Sequence, residues 1–344
     1  MKQRRRVLDY LTCLAVRFAW LGLSIFPIDS ILRVMRVLGG VWYRLPHALP
    51  ELHPPGWFGR VPLLRWTIKL TASSNKLLMK FREHRNRAER HIRMALPDLS
   101  EERVTAMARA SMEQLAMLGV EVLLAPRLIT QWTWARYIKL QKLDEAIRVL
   151  LRPKGCIMLT GHYGNWELLG YTLATLGFDI VAVMRPLDNE YLNRFLLDRR
   201  ERSGLSLLYK KGATRSAEDV LESGAALCFI ADQNAGSKGL FVPFFGYKAS
   251  TYKSIGLLAM QHEVPIVVGC ARRRSAGFGY EICVNRIIQP HEWQDQPDPL
   301  VWLTTEFSRA MEDFIRVAPE QYLWIHRRWK SRPKDELPAE APPI

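Results

Sequence analysis

From about residue 142 onward, short apolar runs alternate with segments of helical length, and that alternation restricts the possible folds more than any other feature of the chain. The runs are GCIMLT (155–160), FDIVAVM (178–184), a short LSLLY (205–209), ALCFIA (226–231) and VPIVVGCA (264–271). Between them stand amphipathic stretches such as EYLNRFLLDRRERSG (190–204), TRSAEDVLESG (214–224) and Tyr252 to His262. Runs that are apolar on both faces are the signature of strands buried on both sides, and helix-length spacers let such strands lie parallel. The expected fold class is therefore α/β, a mainly parallel sheet flanked by helices, with a polar-apolar strand YEICVNRI (280–287) added late. The stretch GSKGLFVPFFGYKAST (236–251) reads as a loop.

In such sheets chemistry gathers beyond the carboxyl ends of the strands. Three of these ends carry polar side chains: His162 after CIMLT, Arg185 after VAVM and Asp232 after ALCFIA. The first is the most suggestive, because Glu167 follows His162 by five residues. On one helix that spacing would separate the two side chains by about 140°. A strand–turn–helix bend, with Gly161 and Gly164 giving backbone freedom, lets them face each other. A histidine beside a carboxylate is a general base with its tautomer fixed. Asn165 either caps the following helix or meets substrate. Asp232 either satisfies loop donors or orders an arginine or the acceptor.

Upstream, Met1 to Arg6 is basic and is followed by VLDYLTCLAVRFAWLGLSIF. Val7, Leu11, Leu14, Phe18, Leu21 and Ile25 fall on one helical face, with Asp9, Cys13 and Arg17 on another. Two charges within a near-membrane length point to a helix lying in the interface or a marginal span, with a buried core helix as the plain alternative. The basic start favours a cytoplasmic amino terminus. Leu38 to Pro62 is rich in Trp, Pro, Gly and His and includes HALPELHPPGWFGRVP (47–62), which cannot be a regular helix; the region suits a headgroup-level anchor or a packed loop. Residues 68–127 read as helices interrupted at Pro97, the second starting at Ser100, with Met107, Met112 and Met117 as core. The expected division is a membrane-associated segment at 1–66, a catalytic domain at 67–333 and a disordered Pro/Glu/Ala tail at 334–344.

The formal net charge of +15 points to an anionic partner, a lipid surface, a phosphorylated substrate or nucleic acid. Five cysteines are scattered without zinc or redox spacing, so free thiols are expected. No His-Glu-x-x-His motif implies a metal, no G-x-S-x-G elbow implies a serine hydrolase, and no nucleic-acid motif accompanies the charge.

Taken together, GHYGNWE (161–167), RPLDN (185–189), Arg200 to Gly204, DQN (232–234), FVPFFG (241–246), Thr251 and YLWIHRRWK (322–330) carry a resemblance. In this order the chain resembles the bacterial lipid A late acyltransferases, within the wider lysophospholipid acyltransferase superfamily, over about residues 85–333. The first stretch matches that family's His-x4-Asp/Glu motif in its Glu form. The resemblance implies an acyl chain moved from acyl carrier protein or acyl-CoA to a hydroxyl of a lipid acceptor, at the cytoplasmic face of a bacterial inner membrane, with no cofactor and no nucleic acid. His162 would be the base and Glu167 its orienting carboxylate. Arg200, chosen over Arg199 and Arg202 by its spacing to Gly204, would bind substrate with Asp232, Arg185 and Asn165. Phe241, Pro243, Phe244 and Phe245 would line an acyl groove or pack as core. A lipid A precursor, another glycolipid, a lysolipid or an aminolipid would fit the same core as acceptor; a lipid-thioester hydrolase is the rival activity.

Overall fold

The computed structural model describes residues 2–44, 80, 82–141, 143–201, 204–209 and 216–336. Most of the Pro/Trp-rich stretch between Leu38 and Pro62, and the tail from residue 337, lie outside the described residues. Among the described residues four helices come first: α1 (Lys2–Leu23), α2 (Ile28–Arg44), α3 (82–95) and α4 (Glu101–Leu128). Ser100 caps α4 by accepting from the Arg103 amide, and Glu101 and Glu102 complement the helix dipole. A short helix α5 (Trp134–Tyr137) then leads into β1 (Ile138–Gln141).

The alternating part follows as α6 (Asp144–Leu150), β2 (Cys156–Thr160), α7 (Trp166–Thr175), β3 (Ile180–Met184), α8 (Glu190–Glu201), β4 (Ser206–Tyr209), α9 (Ala217–Glu222) and β5 (Ala226–Ile230). After these come β6 (Leu240–Phe244), β7 (Tyr247–Thr251), α10 (Lys253–His262), β8 (Ile266–Arg273), β9 (Tyr280–Ile288), α11 (Pro290–Gln294) and α12 (Pro299–Val317). Seven strands form one sheet in the order β1-β9-β8-β2-β5-β3-β4. Every pairing is parallel except β8 with β9. The α/β architecture read from the sequence is therefore present, with β9 and the short added strand β1 running opposite to the other five.

Alternate residues of the central strands feed two cores. Ile157 and Leu159 of β2 pack with α12 residues Phe307 and Met311, whereas Cys156 and Met158 pack with α7 residues Leu168 and Leu173. Burial on both faces is why these strands are uninterrupted apolar runs.

The stretch 236–251, read as a loop, holds the antiparallel hairpin β6–β7. Phe245 and Gly246 join its strands with φ of 49° and 80°, the two left-handed residues of a type I′ turn. Pro243 disguises β6, and it is tolerated because a two-stranded ribbon leaves outward backbone positions that need no donor.

The amino-terminal helices differ from an ordinary soluble pair. The α1 stripe Val7, Leu11, Phe18, Leu21 and on to Ile25 faces outward, Ile25 being 80% exposed, while Cys13 is buried. On its inner side α1 lies along α8: the Asp9 carbonyl accepts from Asn189 Nδ2 at 2.9 Å, Tyr10 meets Tyr191 at 5.4 Å, and Arg17 covers the Phe195 ring at 5.2 Å. On α2, Val34, Val37, Leu38 and Val41 are also exposed. The opposite face of α2 packs on α4 so closely that a Cβ on Gly39 would lie 2.6 Å from Glu113 Cα. No described helix is long and apolar enough to cross a membrane. All five cysteines are free thiols.

Candidate active site

The fully buried β2 delivers the chain to Gly161, and the next four residues form a turn stitched to distant backbone. Gly164 N–H donates to Gln321 O, Asn165 N–H to Ala271 O, and His162 O accepts from Leu323 N–H, all at 2.9 to 3.0 Å. Gly164 has φ of 57°, and a Cβ there would sit 2.1 Å from Ala271 O, so only glycine fits. Asn165 then starts α7, its Oδ1 accepting from the Leu168 amide at 3.1 Å. Its Nδ2 donates to Glu121 at 3.1 Å, and Glu121 is paired with Arg273 at 2.7 Å and accepts from the Tyr280 hydroxyl. Asn165 is fully buried, with both ends of its amide taken. It thus caps α7 and ties the turn to α4, the capping role the sequence offered.

The histidine's carboxylate comes from the neighbouring strand. In the parallel pair β2–β5, Thr160 is level with Ile230, and Ala231 N–H donates to Thr160 O at 2.9 Å. Two residues farther along each chain, His162 and Asp232 stand level. Asp232 accepts from the His162 backbone N–H at 2.9 Å and faces ring Nδ1 at 2.7 Å. Burial of Asp232 alone would raise its pKa; the charge and hydrogen bonds of His162 outweigh it and hold the carboxyl well below the usual range. An ionised Asp232 makes Nδ1 the protonated nitrogen of the neutral ring, which leaves the Nε2 lone pair free as a base. The Gln233 side-chain amide lies 3.4 Å from Nε2, and the imidazole packs edge-on against the rings of Trp166 and His326, 4.7 and 4.3 Å between centroids.

Glu167 does not hold the imidazole. As the second residue of α7 it points toward α8, where Arg200 donates to its two oxygens at 2.7 and 2.8 Å. The two carboxylates thus exchange the places the sequence suggested: Asp232 orients His162, and Glu167 orders Arg200. Arg202 lies outside the described residues. Arg185, just past β3, is 85% exposed and has Asp188 at 3.7 Å as a loose partner. It sits in solvent, apart from the other five candidates.

Beside the His162 turn, an apolar cavity of about 100 Å3 lies between the sheet and helices α7 and α8. Trp166, Met158, Ala182, Met184 and Phe229 line it, and Glu167 and Arg200 stand among its polar wall. Phe244 and Phe245 are buried against Tyr322, Trp324 and Trp329, so they are core rather than groove. Among the described residues, no group of His, Cys, Asp and Glu is arranged to hold a metal ion.

Sequence reasoning missed the role of the 322–330 segment. His326 comes from it, and so does the buried Arg328, which donates to Gln233 O, Ser250 O and Thr251 Oγ1 at 3.1, 2.7 and 2.7 Å and so fixes the loop after Asp232. The only signal was the density of aromatic and basic residues in YLWIHRRWK.

Residues 63–331 match the family described as bacterial lipid A biosynthesis acyltransferase. The chain belongs to that family. It is 25% identical over 301 residues to the lipid A biosynthesis lauroyltransferase of Escherichia coli (strain K12), covering 82% of this chain and 94% of the relative. It is 27% identical over 257 residues to the palmitoleoyltransferase of the same organism, with 72% and 79% covered. A shorter match, 24% over 144 residues, reaches a phosphatidylinositol mannoside acyltransferase of Mycobacterium tuberculosis (strain CDC 1551 / Oshkosh), with 41% and 46% covered. The lipid A acyltransferase family defines the chemistry as transfer of an acyl group to a lipid acceptor, and this chain is an enzyme of that kind.

Proposed function

We propose that this acyltransferase moves a fatty acyl chain from the thioester of acyl carrier protein or acyl-CoA to a hydroxyl of a lipid A precursor or related glycolipid. The His162–Asp232 pair at the ends of two adjacent parallel strands, opening beside an apolar cavity, is the observation that carries this reading. His162 Nε2 takes the proton of the acceptor hydroxyl while the oxygen attacks the thioester carbonyl. Asp232 steadies the imidazolium that forms. Collapse of the tetrahedral intermediate expels a thiolate, which receives the proton from His162. A thiolate leaves readily, so a covalent acyl-enzyme is unnecessary.

The apolar cavity suits the acyl chain. Arg200, held by Glu167 at its wall, places positive charge where an anionic donor or acceptor would arrive, and the solvated Arg185 adds a second cation. The domain reading follows: residues 67–333 carry the chemistry and 1–66 hold the protein to the membrane. The outward apolar stripes of α1 and α2 support a membrane surface as partner, since monomeric soluble proteins rarely expose such faces. The cytoplasmic face of a bacterial inner membrane is the corresponding location.

The test incubates purified protein with lauroyl-carrier protein or lauroyl-CoA and a detergent-dispersed lipid A precursor, and follows acylation by mass spectrometry. Acyl transfer that disappears in His162→Ala supports the reading. Release of free fatty acid without transfer would favour a hydrolase.

A further inference from the structure

His326 stands in the centre with no part in the steps above. Its ring is 4.3 Å from that of His162, at 61° between planes. The segment that presents it is firmly held: Trp324 and Trp329 are buried, Arg87 donates to Ile325 O at 3.2 Å, and His91 Nδ1 lies 2.8 Å from Trp324 O. A ring anchored in this way is preorganised, not draped over the site by chance.

Packing alone does not account for an imidazole here. His326 Nε2 is buried without a hydrogen-bond partner, whereas a phenyl ring would fill the same space and leave no polar atom unpaired. Burial first, and then the charge of His162, lowers the His326 pKa to about 4, with Asp232 opposing them. The titratable groups that face it are thus His162 and Asp232, with His91 across from α3. At neutral pH the ring is uncharged, does not compete for the migrating proton, and still carries one N–H. A neutral imidazole is an effective donor to a carbonyl oxygen that gains charge in the transition state.

We propose that His326 is a second catalytic imidazole, whose N–H hydrogen-bonds the thioester carbonyl oxygen and stabilises the oxyanion formed when the acceptor attacks. The inference rests on the acyl-transfer reading above. In that step the acceptor O–H bond breaks and its proton goes to His162 Nε2. A carbon–oxygen bond forms as the carbonyl π pair moves onto oxygen, and on collapse the carbon–sulfur bond breaks, the thiolate taking the proton from His162. His326 donates a hydrogen bond throughout and transfers no proton.

The experiment compares the full-length wild type with His326→Phe, His326→Gln and His162→Ala, measuring kcat and KM for acyl-carrier protein together with thermal melting. His326→Phe is expected to keep KM within about threefold and to lose about 100-fold in kcat, the usual effect of removing one oxyanion donor. His326→Gln, which restores an N–H, is expected to recover to within about tenfold of wild type. Wild-type turnover in the Phe variant, or equal losses in Phe and Gln when both melt cooperatively, overturns the assignment. If the Phe variant fails to fold, the Gln variant decides: a loss as deep as that of His162→Ala overturns it. Activity that needs His162 but ignores His326 removes this inference alone, whereas a wild type that transfers no acyl chain removes the parent reading with it.

Discussion

Two carboxylates flank the turn that carries His162 and are held in opposite ways. Asp232 is fully buried and both its oxygens face His162, one toward the backbone N–H and one toward the ring. Glu167, with its side chain about a quarter exposed at 26%, gives both oxygens to the guanidinium of Arg200. The first arrangement fixes a tautomer, as the proposed general base requires; the second fixes a cation at the wall of a cavity. Nearness in sequence pointed to Glu167 as the partner of His162, and nearness across the sheet made it Asp232. What separates their roles is whether the opposing group can change its charge during a reaction: an imidazole can, and a guanidinium cannot.

That division can be broken most directly by neutralising each acid in turn. Asp232→Asn should lower kcat by about 1,000-fold with little change in KM, as losing the orienting carboxylate leaves the wrong tautomer. Steady-state kinetics that find the larger kcat loss in Glu167→Gln would reverse the assignment. Acid should also strike the Asp232 side of the turn. The folded pKa values of His91 and His326 are lowered to about 4 from 6.5, so the folded state binds fewer protons than the unfolded chain in that window. Their stabilisation is complete above pH 6.5 and is lost as pH falls toward 4, with a slope of up to about 1.4 kcal/mol per pH unit for each histidine. Asp232, whose pKa is depressed, adds its own loss below its ordinary value of 3.8. Urea titrations from pH 7.5 to 4 check this, and His91→Phe should remove one histidine's share of the slope.

On the Glu167 side the effects are smaller and fall on binding. Glu167→Gln is expected to raise the donor or acceptor KM by about tenfold with kcat reduced much less, because Arg200 loses its bidentate hold. Gly170 lines the cavity, and its Cβ would meet only Leu205 and Ile180 side chains at 3.6 and 3.8 Å. Gly170→Leu should fold and shift selectivity toward shorter acyl chains by about tenfold, read by competing donors of different length, at roughly 0.8 kcal/mol for each displaced methylene. Unchanged chain-length preference would remove the acyl chain from this cavity. Arg185→Ala should have the least effect, about a threefold rise in KM confined to phosphate-bearing substrates, given its exposure.

The legible part of the fold was what depends on local pattern. Runs apolar on both faces gave the central strands, and Ser100 and the strand-end turns gave the starts of helices. The hairpin at 240–251 was hidden because its turn uses a buried phenylalanine with positive φ and one strand contains a proline. Sequence reasoning singled out His162, Glu167, Arg200 and Asp232 as candidates, but not who faces whom. Strand β5 enters the sheet between β2 and β3, so His162 and Asp232 become neighbours across 70 residues of chain. Local periodicity carries no information about that insertion. Asn165 was ambiguous for a related reason: its second partner, Glu121, comes from the long helix α4, 44 residues upstream.

The turn that presents His162 has a consequence for the timing of synthesis. Its backbone is completed by Ala271, Gln321 and Leu323, more than a hundred residues downstream. A nascent chain whose first five sheet strands have already emerged from the ribosome still lacks the groups that set its imidazole. The His162 turn therefore closes only after residue 323 has been made, well after the strand that carries the imidazole.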